Sequence, residues 1–265
     1  MKRWGFGFLA AILLSGILYI APTSVILGLV TLLSIMAFVE YAQLTLPHIS
    51  LFHKIVGALF SGGLCGFLLF GTNQGEFLIF ILAGLFCLTC FLFFRGQTVY
   101  EERFRDLSVF FLGIIYCGFL FSFIGLVRTL SHWPFWLLTL LAATFLADTG
   151  AYVFGHWLGK NKLAPTLSPG KTIEGFFGGW LFALLAITLV RSLFWPEAPL
   201  IKSLILASIM ACIGPIGDLS ESLIKRAMNV KDSGRFLPGH GGLLDRLDAL
   251  LFTAPCVYFF AKYIF

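Results

Sequence analysis

The chain has 265 residues, a formal net charge of +5, 59% hydrophobic and 12% charged residues, and a mean hydropathy of +0.95. An average globular chain is about half apolar and about a quarter charged, so this composition excludes an ordinary water-soluble domain. The apolar excess comes in long runs, as the hydrocarbon core of a bilayer demands: roughly 20 mostly apolar residues per spanning helix.

Taken in chain order, the runs predict an all-α polytopic integral membrane protein with about nine transmembrane helices. They lie near Trp4 to Tyr19, Pro22 to Val39, Ile55 to Phe70, Phe77 to Phe94, Ser108 to Val127, Pro134 to Trp157, Ile173 to Arg191, Pro199 to Gly217 and Ala249 to Ile264. The first two are short enough to read as a tight hairpin. Met1-Lys2-Arg3 before an apolar run also fits a secretory signal, but only further hydrophobic segments follow, so the run is kept as the first span. The six cysteines, Cys65, Cys87, Cys90, Cys117, Cys212 and Cys256, all fall in predicted spans and read as small apolar residues. Cys87 and Cys90 form a CxxC without a second pair or histidines at ligand spacing.

Basic residues set the orientation, because Lys and Arg accumulate in cytoplasmic loops. With nine spans, one side receives the N-terminus and the loops around Glu40 to Lys54, Arg95 to Leu107, Leu158 to Thr172 and Asp218 to Asp248; fourteen of the eighteen Lys and Arg residues fall there. Arg128, Arg191, Lys202 and Lys262 fall on the other side. The N-terminus is therefore expected in the cytoplasm, in the inner membrane of the cell, with a catalytic polar cavity at the cytoplasmic side. The acids divide the chain into two regions. Residues 1–130 read as a transmembrane scaffold, with the mixed-charge stretch Arg95 to Asp106 as a solvated connector. Residues 131–265 carry Asp148, Glu174, Asp218, Glu221, Asp232, Asp245 and Asp248.

Three clusters in that second region carry chemistry. In FLADTGAYVFGHWLGK, Asp148 lies about ten residues from the end of its helix, about 15 Å deep at 1.5 Å per residue. A carboxylate at that depth is costly and must face a cavity, a cation or a partner; a pairing that merely locks helices is the alternative. LSPGKTIEG, Leu167 to Gly175, sets Lys171 and hydroxyls at a helix start, where free N–H groups favour an anion. It is not a P-loop, since Pro165 stands where that pattern needs Gly, and Lys171 could equally anchor the membrane face.

In GPIGDLSESLIKRAMN, Gly214-Pro215 is expected to kink or interrupt the helix. Asp218, Glu221 or Ser222, and Lys225 share one helix face beyond it. Lys231, Asp232, Arg235, His240, Asp245, Arg246 and Asp248 follow, around Gly241-Gly242. Carboxylates interleaved with Lys and Arg suit a polyphosphate bound with a divalent cation.

Ser222 to Asp248, SLIKRAMNVKDSGRFLPGHGGLLDRLD, resembles the signature of the phosphatidate cytidylyltransferases, or CDP-diacylglycerol synthases. That pattern is Ser-x-x-Lys-Arg, four residues, Lys-Asp, a small residue two further on, then Pro-x-His-Gly-Gly and Asp-Arg-x-Asp. The segments around Asp148, around Lys171 with Glu174, and around Asp218 also resemble family motifs. The resemblance implies a Mg²⁺-dependent reaction, with a second cation admissible, in which phosphatidate and CTP give CDP-diacylglycerol and pyrophosphate.

It implies roles as well. Asp218 and Asp245, each expected to follow a chain break, would be metal ligands, with Asp148 a further metal candidate. Asp218, Asp245, Lys171 and Lys225 would be catalytic. Lys171, Lys225, Arg226, Lys231 and Arg246 would meet phosphates, and Ser168, Thr172, Ser222, Asp232, His240, Gly241 and Gly242 would complete the substrate site. Phosphatidate, CTP and bilayer lipid are the expected partners, a homodimer is an admissible assembly, and no polymeric nucleic acid is expected. The rival readings are a CTP-dependent lipid kinase and a polytopic transporter. The transporter fits less well, because the charges gather on one face instead of the midplane and no repeat is visible.

Overall fold

The computed structural model describes residues 21–71, 84, 99–234 and 241–265. The predicted spans near residues 4–19 and, apart from Gly84, 77–94 lie outside them, as do Cys87, Cys90, Arg235 and His240. The other seven predicted spans are all helices: α1 Thr23–Thr45, α2 Leu51–Phe70, α3 Tyr100–Val127, α4 Trp133–Leu158, α5 Ile173–Phe194, α6 Leu200–Ala227 and α7 Leu244–Tyr263. The first six are long and apolar enough to cross a membrane. Charges at both ends of α7, Asp245, Arg246 and Asp248 against Lys262, interrupt its apolar run.

Three expectations are corrected. α1 is a full 23 residues instead of a short span, because Pro22 fixes its start and the apolar pattern runs on to Thr45; the hairpin expected with residues 4–19 falls outside the described residues. The connector expected at Arg95 to Asp106 is helical from Tyr100, where Glu101 and Glu102 complement the positive helix N-terminus. α6 runs unbroken through Gly214-Pro215. Pro215 withholds one N–H, yet its neighbours hold the helix, so Asp218 follows no break. The all-α architecture stands, with one small addition: β1 Lys162–Ala164 and β2 Ser168–Thr172 pair antiparallel between α4 and α5.

The bundle closes by small residues and by two apolar cores. One joins α1, α2, α3 and the start of α7 around Phe38, Tyr41, Phe110 and Phe121. The other joins α3 to α7 around Trp136, Leu140, Ile187, Leu206 and Val257. α3 carries a π-helical turn at Ile115–Phe119. α4 and α5 touch backbone to backbone: a Cβ on Gly150 would stand 2.6 Å from the Gly178 carbonyl oxygen, and one on Gly179 would stand 2.8 Å from that of Ala147. Small residues permit such approach where lipid supplies no hydrophobic drive. Gly150→Leu is expected to destabilise the bundle by about 1–3 kcal/mol, read as a lowered melting temperature of the detergent-solubilised protein.

Loops sort to two ends. At one, His132 stacks on Trp195 with centroids 4.0 Å apart, and the Lys202 ammonium donates to the Ile264 carbonyl at 2.6 Å. At the other, the end of α1, the β-hairpin, the end of α6 and the start of α7 come together through the contacts that build the site.

Candidate active site

β2 delivers Lys171 directly to α5. Thr172 caps that helix, its buried hydroxyl accepting from the Gly175 N–H at 3.1 Å. Thr172→Ala is expected to cost about 1 kcal/mol of stability, measured as a drop in melting temperature. Two residues on, the Glu174 carboxylate accepts from the Lys160 and Asn161 N–H groups and from the Asn161 amide at 2.8 Å, tying both ends of the hairpin together. With the hairpin held in this way, Lys171 Nζ reaches Asp218 Oδ2 on α6 at 2.6 Å. Arg226 Nε points at the Leu167 carbonyl of the same hairpin at 3.5 Å.

Asp218 occupies the α6 face predicted from the spacing. Ser222 Oγ approaches its other oxygen at 3.4 Å, and Lys225 Nζ bonds Glu221 Oε2 at 2.9 Å. Both pairs are four residues apart. Asp148 on α4 and Asp248 on α7 join Asp218 in one electrostatic neighbourhood, since each of these two carboxylates feels the others' charge, and Lys171 acts on Asp148. Asp148, Thr144, Gly179, Gly214, Pro215 and Thr253 are among the residues around a small cavity of about 30 Å³. Its lining is mostly apolar, with Thr144 and Thr253 the polar side chains beside Asp148. Gly217 lets α6 and α7 meet here, for a Cβ on it would stand 2.5 Å from the Asp248 carbonyl oxygen.

Asp245, in the first turn of α7, stands in a second group. Lys225 Nζ bonds its Oδ1 at 2.7 Å, and the Ser233 and Gly242 N–H groups donate to its Oδ2 at 3.0 and 2.9 Å. Burial alone would raise its pKa; the lysine and the two N–H donors outweigh that and hold it well below the usual carboxylate range. Gly241 has φ +84°, and a Cβ there would stand 2.9 Å from Asp245 Oδ2. Gly241→Ala is therefore expected to cost about 1–2 kcal/mol in backbone strain and to displace the carboxylate, read as a lower melting temperature together with reduced turnover.

The structure thus brings together Lys171, Asp218, Asp148 and Ser222 in one group, and Lys225 and Asp245 with Gly242 in the next. Ser168 and Thr172 lie on the hairpin beside them. Arg226, Lys231, Asp232 and Arg246 are exposed around this end. His240 lies outside the described residues. Sequence reasoning gave Glu221 and Asp248 no role and placed Glu40 in the scaffold. The i, i+4 offset from Glu221 to Lys225 was a usable signal; nothing local marks Glu40.

A helical bundle suited to the bilayer, with lysine–carboxylate pairs gathered at one end, defines a multi-pass membrane protein. The profile of the cytidylyltransferase family matches residues 1–264, and the chain belongs to that family. It is 43% identical over 153 residues to the phosphatidate cytidylyltransferase of Staphylococcus saprophyticus, covering 57% of this chain and 58% of that one. It is 40% identical over 157 residues to the protein of that name in Bacillus subtilis, covering 59% and 58%. The match therefore spans under two thirds of these relatives' length. A longer match, 34% over 270 residues, covers 98% of this chain and 85% of the uncharacterized protein YnbB of Escherichia coli.

Proposed function

We propose that the protein transfers the cytidylyl group of CTP to phosphatidate, forming CDP-diacylglycerol and releasing pyrophosphate. One observation carries the reading: Lys171 and Lys225, from the two signature segments, stand 2.6 Å and 2.7 Å from Asp218 and Asp245 at the same end of the bundle. Cations preset by carboxylates, in place of an isolated nucleophile or general base, suit a reaction between two phosphate anions. The phosphatidate phosphate has a second pKa near 6 and is largely ionised at neutral pH, so it needs no strong base. The protein's work is then to align it with the CTP α-phosphorus, offset anion repulsion and stabilise the leaving pyrophosphate.

The donor chemistry fits Mg²⁺. Among the described residues no three His, Cys, Asp or Glu side chains form a metal-binding group, but Mg²⁺ commonly takes one or two carboxylates and completes its shell with phosphate oxygens and water. Asp148 and Asp218 would hold it, and when bound it would neutralise charge on the nucleotide. Ligation by Asp218 through Oδ2 would require displacement of Lys171, and ligation by Asp245 displacement of Lys225 or of the N–H donors. Lys171, Lys225, Arg226, Lys231 and Arg246 meet phosphate oxygens in this reading, with Ser168, Thr172 and Ser222 as hydroxyl donors and Gly241-Gly242 as the close backbone wall. The basic excess of the loops supports a cytoplasmic position for this end, where CTP is found, and an odd number of spans, nine in this reading. An apolar groove of about 690 Å³ between α5 and α6, lined by Trp180, Leu184, Ile205 and Ile209, gives the acyl chains a lateral seat on the helix that carries Asp218.

The test is reconstitution in liposomes with phosphatidate, CTP labelled at the α-phosphate, and Mg²⁺ or EDTA. Label in a lipid product with release of pyrophosphate, dependent on Mg²⁺, is expected. Label in soluble CDP would move the reading to a lipid kinase, and folded protein without product would refute it.

A further inference from the structure

Glu40 is an acid in the middle of the apolar half of the chain, only 8% exposed, near the end of α1. Its partners lie about 200 residues away. Oε1 accepts from the Ser233 hydroxyl at 2.5 Å and from the Leu244 N–H at 3.1 Å, and Oε2 accepts from the Leu243 N–H at 2.8 Å. These are signature-segment groups. They include the first N–H donors of α7, a helix that begins without a capping side chain at its N-cap Leu243. Unsatisfied N–H groups at a buried helix start need an acceptor, and a negative charge there also complements the helix dipole. Glu40 supplies both from another helix.

The contact continues into the site. Ser233 gives its hydroxyl to Glu40 and its N–H to Asp245 Oδ2, so one residue links the two carboxylates, and Asp245 in turn holds Lys225. Space around Glu40 is tight: a Cβ on Gly234 would stand 2.9 Å from the Glu40 carboxyl carbon, and one on Gly242 would stand 2.7 Å from it. The backbone just after Ser233 and just before α7 is therefore shaped around this carboxylate.

We propose that Glu40 is a positioning residue for the reaction: through Ser233 and the first turn of α7 it sets the geometry of Asp245 and, with it, the Lys225 ammonium. The proposal rests on the cytidylyltransferase reading and extends it to the half of the chain that carries no signature motif. It also requires that α1 be present and docked for turnover. Glu40→Gln keeps the size of the side chain but turns one acceptor into a donor facing N–H groups, so the clamp loosens without a cavity.

The experiment compares wild type, Glu40→Gln, Ser233→Ala and the double variant in liposomes, with kcat and KM for CTP expressed per folded molecule as counted by size exclusion. The expected result for Glu40→Gln is a fall in kcat of about 10- to 100-fold, the usual effect of removing a group that orients a site residue, with KM for CTP little changed. Ser233→Ala is expected to lose less, and the double variant to lose no more than Glu40→Gln alone, because both act through one linkage. A purely structural clamp would lower the yield of folded protein and leave kcat per folded molecule intact. That outcome overturns the proposal, as do losses that simply multiply in the double variant. If Glu40→Gln is not recovered folded, wild-type kcat in Ser233→Ala overturns it equally. A wild type that makes no CDP-diacylglycerol would instead remove the reading on which it rests.

Discussion

Asp245→Asn is expected to lower turnover by at least about 10²- to 10³-fold, the scale of losing one preorganised electrostatic contact, while the protein still folds and extracts from membranes. The wild-type carboxylate takes Lys225 on one oxygen and two backbone N–H groups on the other. Asparagine has a single acceptor oxygen. If it faces the N–H groups, its amide meets the ammonium; if it faces Lys225, its amide meets the N–H groups. Either way Lys225, with its side chain only 15% exposed, keeps Glu221 as its carboxylate partner and loses its position. The check is incorporation of α-labelled CTP into lipid, beside a melting curve in detergent. Unchanged turnover would remove Asp245 from the site, and loss of folding would make its role structural.

Asp218→Asn is expected to raise the Mg²⁺ concentration needed for half-maximal turnover by about 10- to 100-fold and to lower the maximum as well. Asp218 holds the hairpin lysine against the α6 face, and its charge reaches Asp148 and Asp248. Neutralising it weakens the donor set for a hard cation and leaves Lys171 without its partner at 2.6 Å. Lys171→Met separates the two effects. If the lysine acts on the nucleotide, kcat/KM for CTP falls about 10- to 100-fold, as for a lost hydrogen bond to a charged group, with the Mg²⁺ requirement unchanged. If it serves only to hold Asp218, its variant reproduces the Asp218→Asn shift. Titration of turnover against Mg²⁺ at fixed CTP distinguishes them.

The contrast between these two groups bears on the metal set of Asp218, Asp245 and Asp148 that the family resemblance implied. All three are acids in or beside signature segments, and spacing carries no information on which oxygens already face donors. The fold shows Asp245 bonded to an ammonium and two N–H groups, while Asp218 pairs with a different lysine, Lys171.

Much of the molecule was legible from local pattern. Apolar runs placed the seven described helices, because a bilayer imposes the same length and composition on each span independently of its neighbours. The spacing on α6 likewise predicted that Asp218, Glu221 or Ser222, and Lys225 share one face, which depends only on helix geometry. Helix ends were less legible. Tyr100 to Asp106 is polar yet helical, and Pro215 sits inside a continuous helix, since packing and satisfied neighbours override a local breaker.

What the sequence by itself determined is a polytopic helical protein with cationic and carboxylate side chains concentrated in its second half, because composition and period act residue by residue. What only the tertiary structure decided is which charges meet: Lys171 with Asp218 through a hairpin, Lys225 with Asp245 across 20 residues, and Glu40 with Ser233 across 193. Those pairings depend on glycine-mediated contacts between helices and on buried donors that must find an acceptor, and neither leaves a periodic mark in the chain.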